Sequence, residues 1–392
     1  MKWMNKNNRI PILSWCEQVE SEALQQAQNL ANHPVTFRHV ALMPDCHSGY
    51  GMPIGGVIAC EDAVIPNAVG VDIGCGMCAV QTTYKIGKIN EGMIKEILGK
   101  LRKKIPVGFD HHKHDQPWEE FDNAPDIKII QQELKSARKQ LGTLGGGNHF
   151  IEIQAGSDDA VWLMVHSGSR NFGYKIAREY NSIAEKICEK YTSVKVPLKG
   201  GNGLAYLPIA HKKAQEYIDA MHFALAFAKQ NRRLIMTQVK KAAKEVLGCD
   251  FKQEINIHHN FAALEKHYGK KVWIHRKGAT RAEKGQMDII PGSMGTASYI
   301  VRGLGNPLSF NSCSHGAGRV VSRAEFNRTH TVEECNKAME GIVFGRWNRG
   351  RNGQYDLSEA PQAYKDIDEV IESQTDLVEI VVKLKPLGVM KG

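Results

Sequence analysis

The chain has 392 residues, 42% of them hydrophobic and 24% charged, enough apolar surface for a real core and too little bias for a disordered or fibrous protein. Lys plus Arg exceed Asp plus Glu by 51 − 42 = 9, a balance that suits a polyanionic partner such as nucleic acid, although the excess is spread along the chain as in ordinary basic enzymes. Nine cysteines in so long a chain, an N-terminus (Met1-Lys2-Trp3-Met4-Asn5-Lys6) without an apolar stretch, and no run of eighteen apolar residues argue against a disulfide scaffold and a membrane span, so a reduced, cytoplasmic protein is expected.

Taken in chain order, the pattern predicts a short helix over 15–32 and a strand over 35–42. Glycine turns and short β-rich runs follow to about Thr83. A helix is expected over 90–104, a polar loop over 108–126 holding His111-His112-Lys113-His114, and a second helix over 128–140. A glycine-rich loop at 142–147 runs into a strand, and another strand covers 161–166. Helices are expected over 174–191 and, as one long element with a potential break, over 208–247. From 256 to 321 short strands and glycine turns return; the tail has helices near 331–340 and 364–374 and an alternating strand over 377–384. Helices and strands do not alternate regularly, so neither a TIM barrel nor a doubly wound sheet is supported. The expectation is one α+β domain over residues 1–392, with mixed sheets, surrounding helices and a central cleft.

Six segments pair metal-capable or nucleophilic side chains with glycines. They are Asp45-Cys46-His47-Ser48-Gly49, Val71-Asp72-Ile73-Gly74-Cys75-Gly76, Gly145-Gly146-Gly147-Asn148-His149, His166-Ser167-Gly168-Ser169-Arg170, His258-His259-Asn260 and Cys313-Ser314-His315-Gly316-Ala317-Gly318-Arg319. Asp72 and Cys75, three apart on a turn, can reach one metal, and a thiolate can bridge two; the same pair also reads as a structural cysteine beside a turn aspartate. Cys75-Gly-Met-Cys78 further reads as half a zinc site or a redox pair. His149, His166 and His259 each fall at the end or edge of a predicted strand, and with Asp72 and Cys75 they number enough for two adjacent metal sites. Sulfur and nitrogen ligands by themselves point to zinc.

His315 sits among small residues that let a phosphate approach, with Arg319 four residues on to hold its oxygens. Neutral imidazole is a competent nucleophile at phosphorus. Pro291-Gly292-Ser293-Met294-Gly295-Thr296-Ala297-Ser298 offers hydroxyls on a turn, suited to a purine or a phosphate. No G-x-x-x-x-G-K-[ST] occurs, and the absence of any Asp-Gly dipeptide removes the Lys-x-Asp-Gly nucleophile motif of lysine-adenylate ligases.

Together these segments resemble the RtcB family of RNA-splicing ligases, from Pro44-Asp45 to Lys391-Gly392. The most specific parts are Gly70-Val71-Asp72-Ile73-Gly74-Cys75-Gly76-Met77, Gly147-Asn148-His149-Phe150-Ile151-Glu152, His166-Ser167-Gly168-Ser169-Arg170 and Cys313-Ser314-His315-Gly316-Ala317-Gly318-Arg319. The resemblance implies that Asp72, Cys75, His149, His166 and His259 hold two Mn²⁺ ions, and that His315 takes GMP from GTP. It implies joining of RNA 3′-phosphate or 2′,3′-cyclic phosphate ends to 5′-hydroxyl ends through that GMP–histidine. Asn148, Glu152, Ser293, Ser298, Ala317, Gly318, Arg319, Tyr364 and Lys391 match the guanosine pocket, with Glu152 accepting from guanine. Asp45, His47, Arg170 and Lys277 match positions that handle RNA ends, and Arg170 and Arg319 are expected to grip phosphates in bidentate fashion.

Outside that pattern, 344–352, with Arg346, Trp347, Arg349 and Arg351, reads as an RNA-stacking segment or a solvated loop. Competing readings are a metal-dependent RNA phosphoesterase or nuclease, which has no use for His315 with a guanine pocket, and a non-catalytic RNA-binding protein, which has no use for the metal shell. A monomer is expected. The sequence names neither the natural RNA nor an activating protein partner.

Overall fold

A computed structural model of the protein describes residues 1–190, 196–200, 203–349 and 353–392. The chain opens with strands β1 (Trp3–Asn5) and β2 (Ile12–Ser14), helix α1 (Ser21–Asn32), and strands β3 (Thr36–His47), β4 (Ile54–Cys60), β5 (Ala63–Val64) and β6 (Gly76–Lys85). Helices α2 (Glu91–Lys104) and α3 (Lys128–Gln140) precede strands β7 (Phe150–Gly156) and β8 (Ala160–Ser167). Then come α4 (Arg170–Cys188), β9 (Leu207–Pro208) and α5 (Lys212–Leu247). Strands β10 (Phe251–His258), β11 (Asn260–His267), β12 (Lys270–Lys277), β13 (Ala279–Arg281), β14 (Met287–Ile290), β15 (Ser298–Gly303) and β16 (Ser312–Ser314) follow. The tail carries α6 (Arg323–Thr329), α7 (Val332–Lys337), α8 (Ile367–Glu372) and β17 (Val378–Lys391).

Two sheets organise the molecule, one of six strands ordered β1-β2-β3-β4-β12-β11 and one of seven ordered β10-β6-β8-β7-β17-β15-β14. β2 and β3 are parallel; the other pairings in these sheets are antiparallel, giving the mixed α+β fold expected. Both sheets are covered on both faces. Along β3, Val40 and Leu42 enter one core while Ala41 and Met43 enter another. Along β8, Val161, Leu163 and Val165 pack with α2 and α5, whereas Trp162 and Met164 pack against the tail. Strands buried on both faces read as continuous apolar runs rather than as alternation.

The 36-residue α5 runs unbroken, contrary to the break allowed for in the sequence. It spans about 54 Å at 1.5 Å per residue and ends on Gly248 in the left-handed region, φ 63°. α2 begins where Asn90 accepts from the Met93 N–H, a cap worth about 1 kcal/mol.

Three expectations are corrected. The helix foreseen from residue 15 starts at Ser21, because Trp15 is fully buried at the end of β2 and its indole N–H donates to Asp376 at 2.8 Å. Tyr364 is not helical but extended (φ −118°, ψ 154°), after a single 3₁₀ turn, and α8 begins only at Ile367. The strand foreseen to 384 continues to Lys391 through a bulge between Pro386 and Gly388. The predicted end of the fourth helix at residue 191 lies outside the described residues.

Candidate metal and nucleotide site

The ends of both sheets converge on one place. Gly76 at the start of β6 pairs with Ser167 at the end of β8 and with His258 at the end of β10, and Phe150 at the start of β7 pairs with Lys391 at the end of β17. The six-stranded sheet arrives through Asn260↔Lys277, and Ala279↔Ser314 adds the β13–β16 pair. Cys75, His149, His166, His259 and His315 therefore stand at strand ends, where backbone leaves the ladder and side chains can converge.

Cys75 Sγ lies 3.3 Å from His166 Nε2 and 3.4 Å from His149 Nε2, and Asp72 Oδ2 lies 3.3 Å from His149 Nε2. Among the described residues, the group whose ligand atoms all lie within 4.8 Å of one another is Cys75, His149 and His166, each buried. Asp72 meets that group at both His149 and the Cys75 thiol. The His259 ring adjoins it, 5.2 Å from His166 and 4.8 Å from His315 between centroids.

Several observations fit a bound cation. His166 Nδ1–H donates to the Asn148 carbonyl at 2.9 Å, which leaves the Nε2 lone pair facing Cys75. Burial and neighbouring histidines push His166 and His259 well below the ordinary range, which keeps both rings neutral, the form that can bind a cation. His149 Nδ1 and His259 Nδ1 are buried without a partner, a costly state that a cation would relieve at His259, whereas His149 faces Cys75 and Asp72 with its Nε2. Burial, then the Asp72 carboxylate, push the Cys75 thiol up; a cation would compensate the thiolate's charge. Burial alone would raise Asp72, but the bond from His149 and lesser partners hold it below its usual value.

Cys78, by contrast, lies in the core against α2 and α5, its thiol pushed up to about 12 by burial, so the structure gives no support to a Cys75–Cys78 redox pair. His258 also points away: its Nδ1 is 3.1 Å from the Arg232 guanidinium.

His315 stands at the opening with its side chain 16% exposed. Its Nδ1 lies 2.6 Å from Asp45 Oδ2, and the same oxygen accepts the His315 backbone N–H at 3.1 Å. Asp45 reaches it because β3 bulges: Leu42 faces Gly56 and His47 faces Ile54, so four residues stand opposite Gly55 alone. Gly55 has φ 80°, and a Cβ there would meet Asp45 Oδ1 at 2.9 Å. His47 Nδ1 lies 2.9 Å from the Asp45 carbonyl. Lys277 is buried, donates to the Tyr50 and Asn67 carbonyls, and is lowered by burial to about 7.

The residues matched to guanosine also gather. Gln154 donates to Glu152 Oε2 at 2.7 Å and to Ser298 Oγ at 3.2 Å. Glu152 is raised by burial to about 8 with Lys391 opposing, and its Oε1 is buried without a partner. Ser293 shares its hydroxyl with Thr296 at 2.9 Å, and buried Ala317 and Gly318 follow His315. Half-buried Asn148 adjoins His149. A cleft of about 350 Å³ opens beside them, lined by Gly147, Met294, Glu359 and Lys391 among others.

Two expectations fail on geometry. Arg170 spends Nε on Thr143 Oγ1 (2.8 Å) and one terminal nitrogen on the Gly108 carbonyl (2.6 Å). Arg319 spends Nε on the Val321 carbonyl (3.1 Å) and one terminal nitrogen on the Ser358 carbonyl (2.8 Å). Each fork is thus committed to the fold, and neither is free for a bidentate phosphate; Arg319 retains one buried, unpartnered nitrogen. Nor does Trp347 offer a stacking face: it is buried and its indole donates to Asn336. Arg351 lies outside the described residues.

The sequence reading missed Glu359, which accepts from Tyr364 at 2.6 Å and from Lys391 at 3.2 Å. Burial would raise it, but Lys391 and Arg323 hold it down at about 2. It also missed Arg232, a fully buried residue in mid-α5 that donates to Gly74 O (2.8 Å), Ser167 O (3.0 Å) and Asn256 Oδ1 (2.8 Å), bracing the residues beside Cys75 and His166. Arg232→Met is expected to cost about 3 kcal/mol by leaving those acceptors unpaired. Urea unfolding checks this, and an unchanged midpoint would mean that the acceptors find other partners.

The family model described as "tRNA-splicing ligase RtcB" matches residues 26–392. The chain is 39% identical to a protein of Escherichia coli named "RNA-splicing ligase RtcB1", with 97% of each chain covered. It is 34% identical to a protein of Pyrobaculum aerophilum named "tRNA-splicing ligase RtcB", over 98% of this chain and 95% of that one. Another similar protein, 32% identical over 95% of this chain and 92% of its own, is the "tRNA-splicing ligase RtcB" of Thermococcus kodakarensis. A match that runs through Asp72, Cys75 and the strand-end histidines, the His315 loop and the C-terminal lysine places this chain in the RtcB family.

Proposed function

We propose that the protein is an RNA ligase that joins a 3′-phosphate end, or a 2′,3′-cyclic phosphate first opened to one, to a 5′-hydroxyl end, with GTP as the source of activation. The observation that carries this reading is the position of His315, its ring 4.8 Å from His259 at the edge of the ligand cluster and its Nδ1 against Asp45. Donation of Nδ1–H to that carboxylate leaves Nε2 as the nucleophilic atom.

In this reading Nε2 attacks the α-phosphorus of GTP, a P–N bond forms and pyrophosphate leaves. The RNA 3′-phosphate then takes the guanylate, and the P–N bond breaks. The 5′-hydroxyl attacks the activated phosphorus, loses its proton, and GMP departs. Asp72, Cys75, His149, His166 and His259 would hold two divalent ions, taken here as Mn²⁺. Ions held there would supply charge stabilisation for phosphoryl transfer. Asp45 and His47 adjoin the nucleophile, and Lys277 and Arg170 are assigned to RNA ends, Arg170 through the loop it braces. The guanine is assigned to Glu152, whose unpartnered Oε1 offers an acceptor to N–H groups that adenine lacks, with Asn148, Ser293, Ser298, Ala317, Gly318, Arg319, Tyr364 and Lys391 around it. The single-domain reading of 1–392 belongs to the same proposal.

Incubation with α-labelled GTP and Mn²⁺ tests it: an acid-labile, base-stable label on the protein is expected. A hydrolase or a simple RNA-binding protein takes none. Glu152→Gln is expected to reduce the preference for GTP over ATP by about tenfold, the worth of one hydrogen bond to guanine. An unaltered preference would move the guanine site elsewhere.

A further inference from the structure

Phe109 is the most exposed large hydrophobic residue among those described, at 95%. It is not a loose tip. Asp110 N–H closes a tight turn onto the Val107 carbonyl at 3.0 Å, with Gly108 at φ 59° inside it. The turn is tied to the candidate site twice: Gly108 N–H donates to the Gly145 carbonyl at 2.9 Å, and the Gly108 carbonyl accepts from Arg170 at 2.6 Å. Gly145 in turn lies so close to the ligand shell that a Cβ there would meet His149 Nδ1 and an Arg170 nitrogen at 2.4 Å each. Val107, two residues before Phe109, lines the 350 Å³ cleft together with Arg102, Arg346 and Lys391. A solvated aromatic ring on a hydrogen-bonded turn thus stands next to a cleft lined by three cations, Arg102, Arg346 and Lys391, and by the carboxylates of Asp356 and Glu359, one turn of backbone from the candidate ligand cluster.

An exposed phenyl ring gains nothing for the fold, so burial does not account for it. A π-face beside cationic groups suits an unpaired nucleobase, which stacks on aromatic side chains without regard to sequence. We propose that Phe109 is a stacking platform for an unpaired base of single-stranded RNA at or next to the reacting end. This rests on the reading of the protein as an RNA ligase, but it is tested on binding alone.

Anisotropy of a fluorescent single-stranded RNA bearing a 3′-phosphate measures the affinity. Phe109→Ala is expected to weaken it roughly tenfold, the worth of one stacked base. Phe109→Trp restores it and Phe109→Leu does not. Replacing RNA nucleotides one at a time by abasic sites should weaken wild-type binding at one position and leave Phe109→Ala binding unchanged there. Tyr268→Ala, which removes another exposed aromatic at the β11–β12 turn, serves as the control. Equal affinity of wild type and Phe109→Ala overturns the platform and leaves the ring as a contact for a protein partner. Full rescue by leucine overturns it too, because a greasy contact is then sufficient. Labelling from GTP is read separately: its absence in the wild type sinks the ligase reading, while the binding data still decide the platform.

Discussion

His315→Ala is expected to reduce labelling from GTP to background while non-covalent GTP binding persists. No neighbouring group can take over. His259, the adjacent ring, is buried and is assigned above to the metal ions, and Lys277 is occupied by the Tyr50 and Asn67 carbonyls. The subtler test is Asp45→Asn. An asparagine retains the shape and an oxygen for the His315 backbone N–H, but it removes the charge that sits 2.6 Å from Nδ1. That charge fixes the tautomer and stabilises the ring as it becomes cationic on attack. Its loss in a hydrogen-bonded histidine is worth about 10²- to 10⁴-fold in rate. Rapid-quench measurement of the label checks both variants. Label surviving His315→Ala would place the nucleophile elsewhere, and an Asp45→Asn enzyme at full speed would reduce the carboxylate to a structural acceptor.

How far the sequence reached is decided by what each element is made of. α2 and α3 were legible to within one residue because one face of each is polar and the other apolar, with Ile94, Ile97, Leu98 and Leu101 inward in α2. The strands were less so, since both faces are buried and the period of two disappears. α1 was misplaced because Trp15 and Cys16 look like a helix start, whereas the partner that holds Trp15 is Asp376, 361 residues away. Within the site, the histidines were visible because glycines stand beside them, and the fold explains those glycines: Gly145 and Gly168 lie where a Cβ would strike a ring nitrogen or a carboxylate. Glu359 and Arg232 have no such flag. Each is an ordinary charged residue in an ordinary segment, and its importance arises from what the tertiary fold brings to it. Arg170 shows the opposite error: a basic residue beside a motif suggested phosphate, and the fold had already claimed its nitrogens, at a backbone φ of 60°.

Cys75→Ala is expected to remove metal-dependent guanylylation altogether, and the reason is its position rather than its chemistry alone. Its sulfur lies within 3.4 Å of ring nitrogens of both His149 and His166, and its carbonyl accepts the His259 N–H at 2.8 Å. It thus touches both rings at once, beside the direct His149–His166 ring contact at 5.2 Å between centroids. A four-ligand structural zinc site holds its metal by about 10–16 kcal/mol, so one ligand is worth on the order of 3 kcal/mol, or roughly a hundredfold in affinity. A shared sulfur would weaken two ions at once. Cys75→Ser, which keeps the size and offers a harder oxygen, should retain more Mn²⁺ than Cys75→Ala. Metal content after dialysis and Mn²⁺ electron paramagnetic resonance read this without recourse to activity, and chelation of the wild type should reproduce the alanine variant. If the alanine variant binds Mn²⁺ as the wild type does, the thiol is a core residue and not a ligand, and the ions sit on the histidines and Asp72 alone.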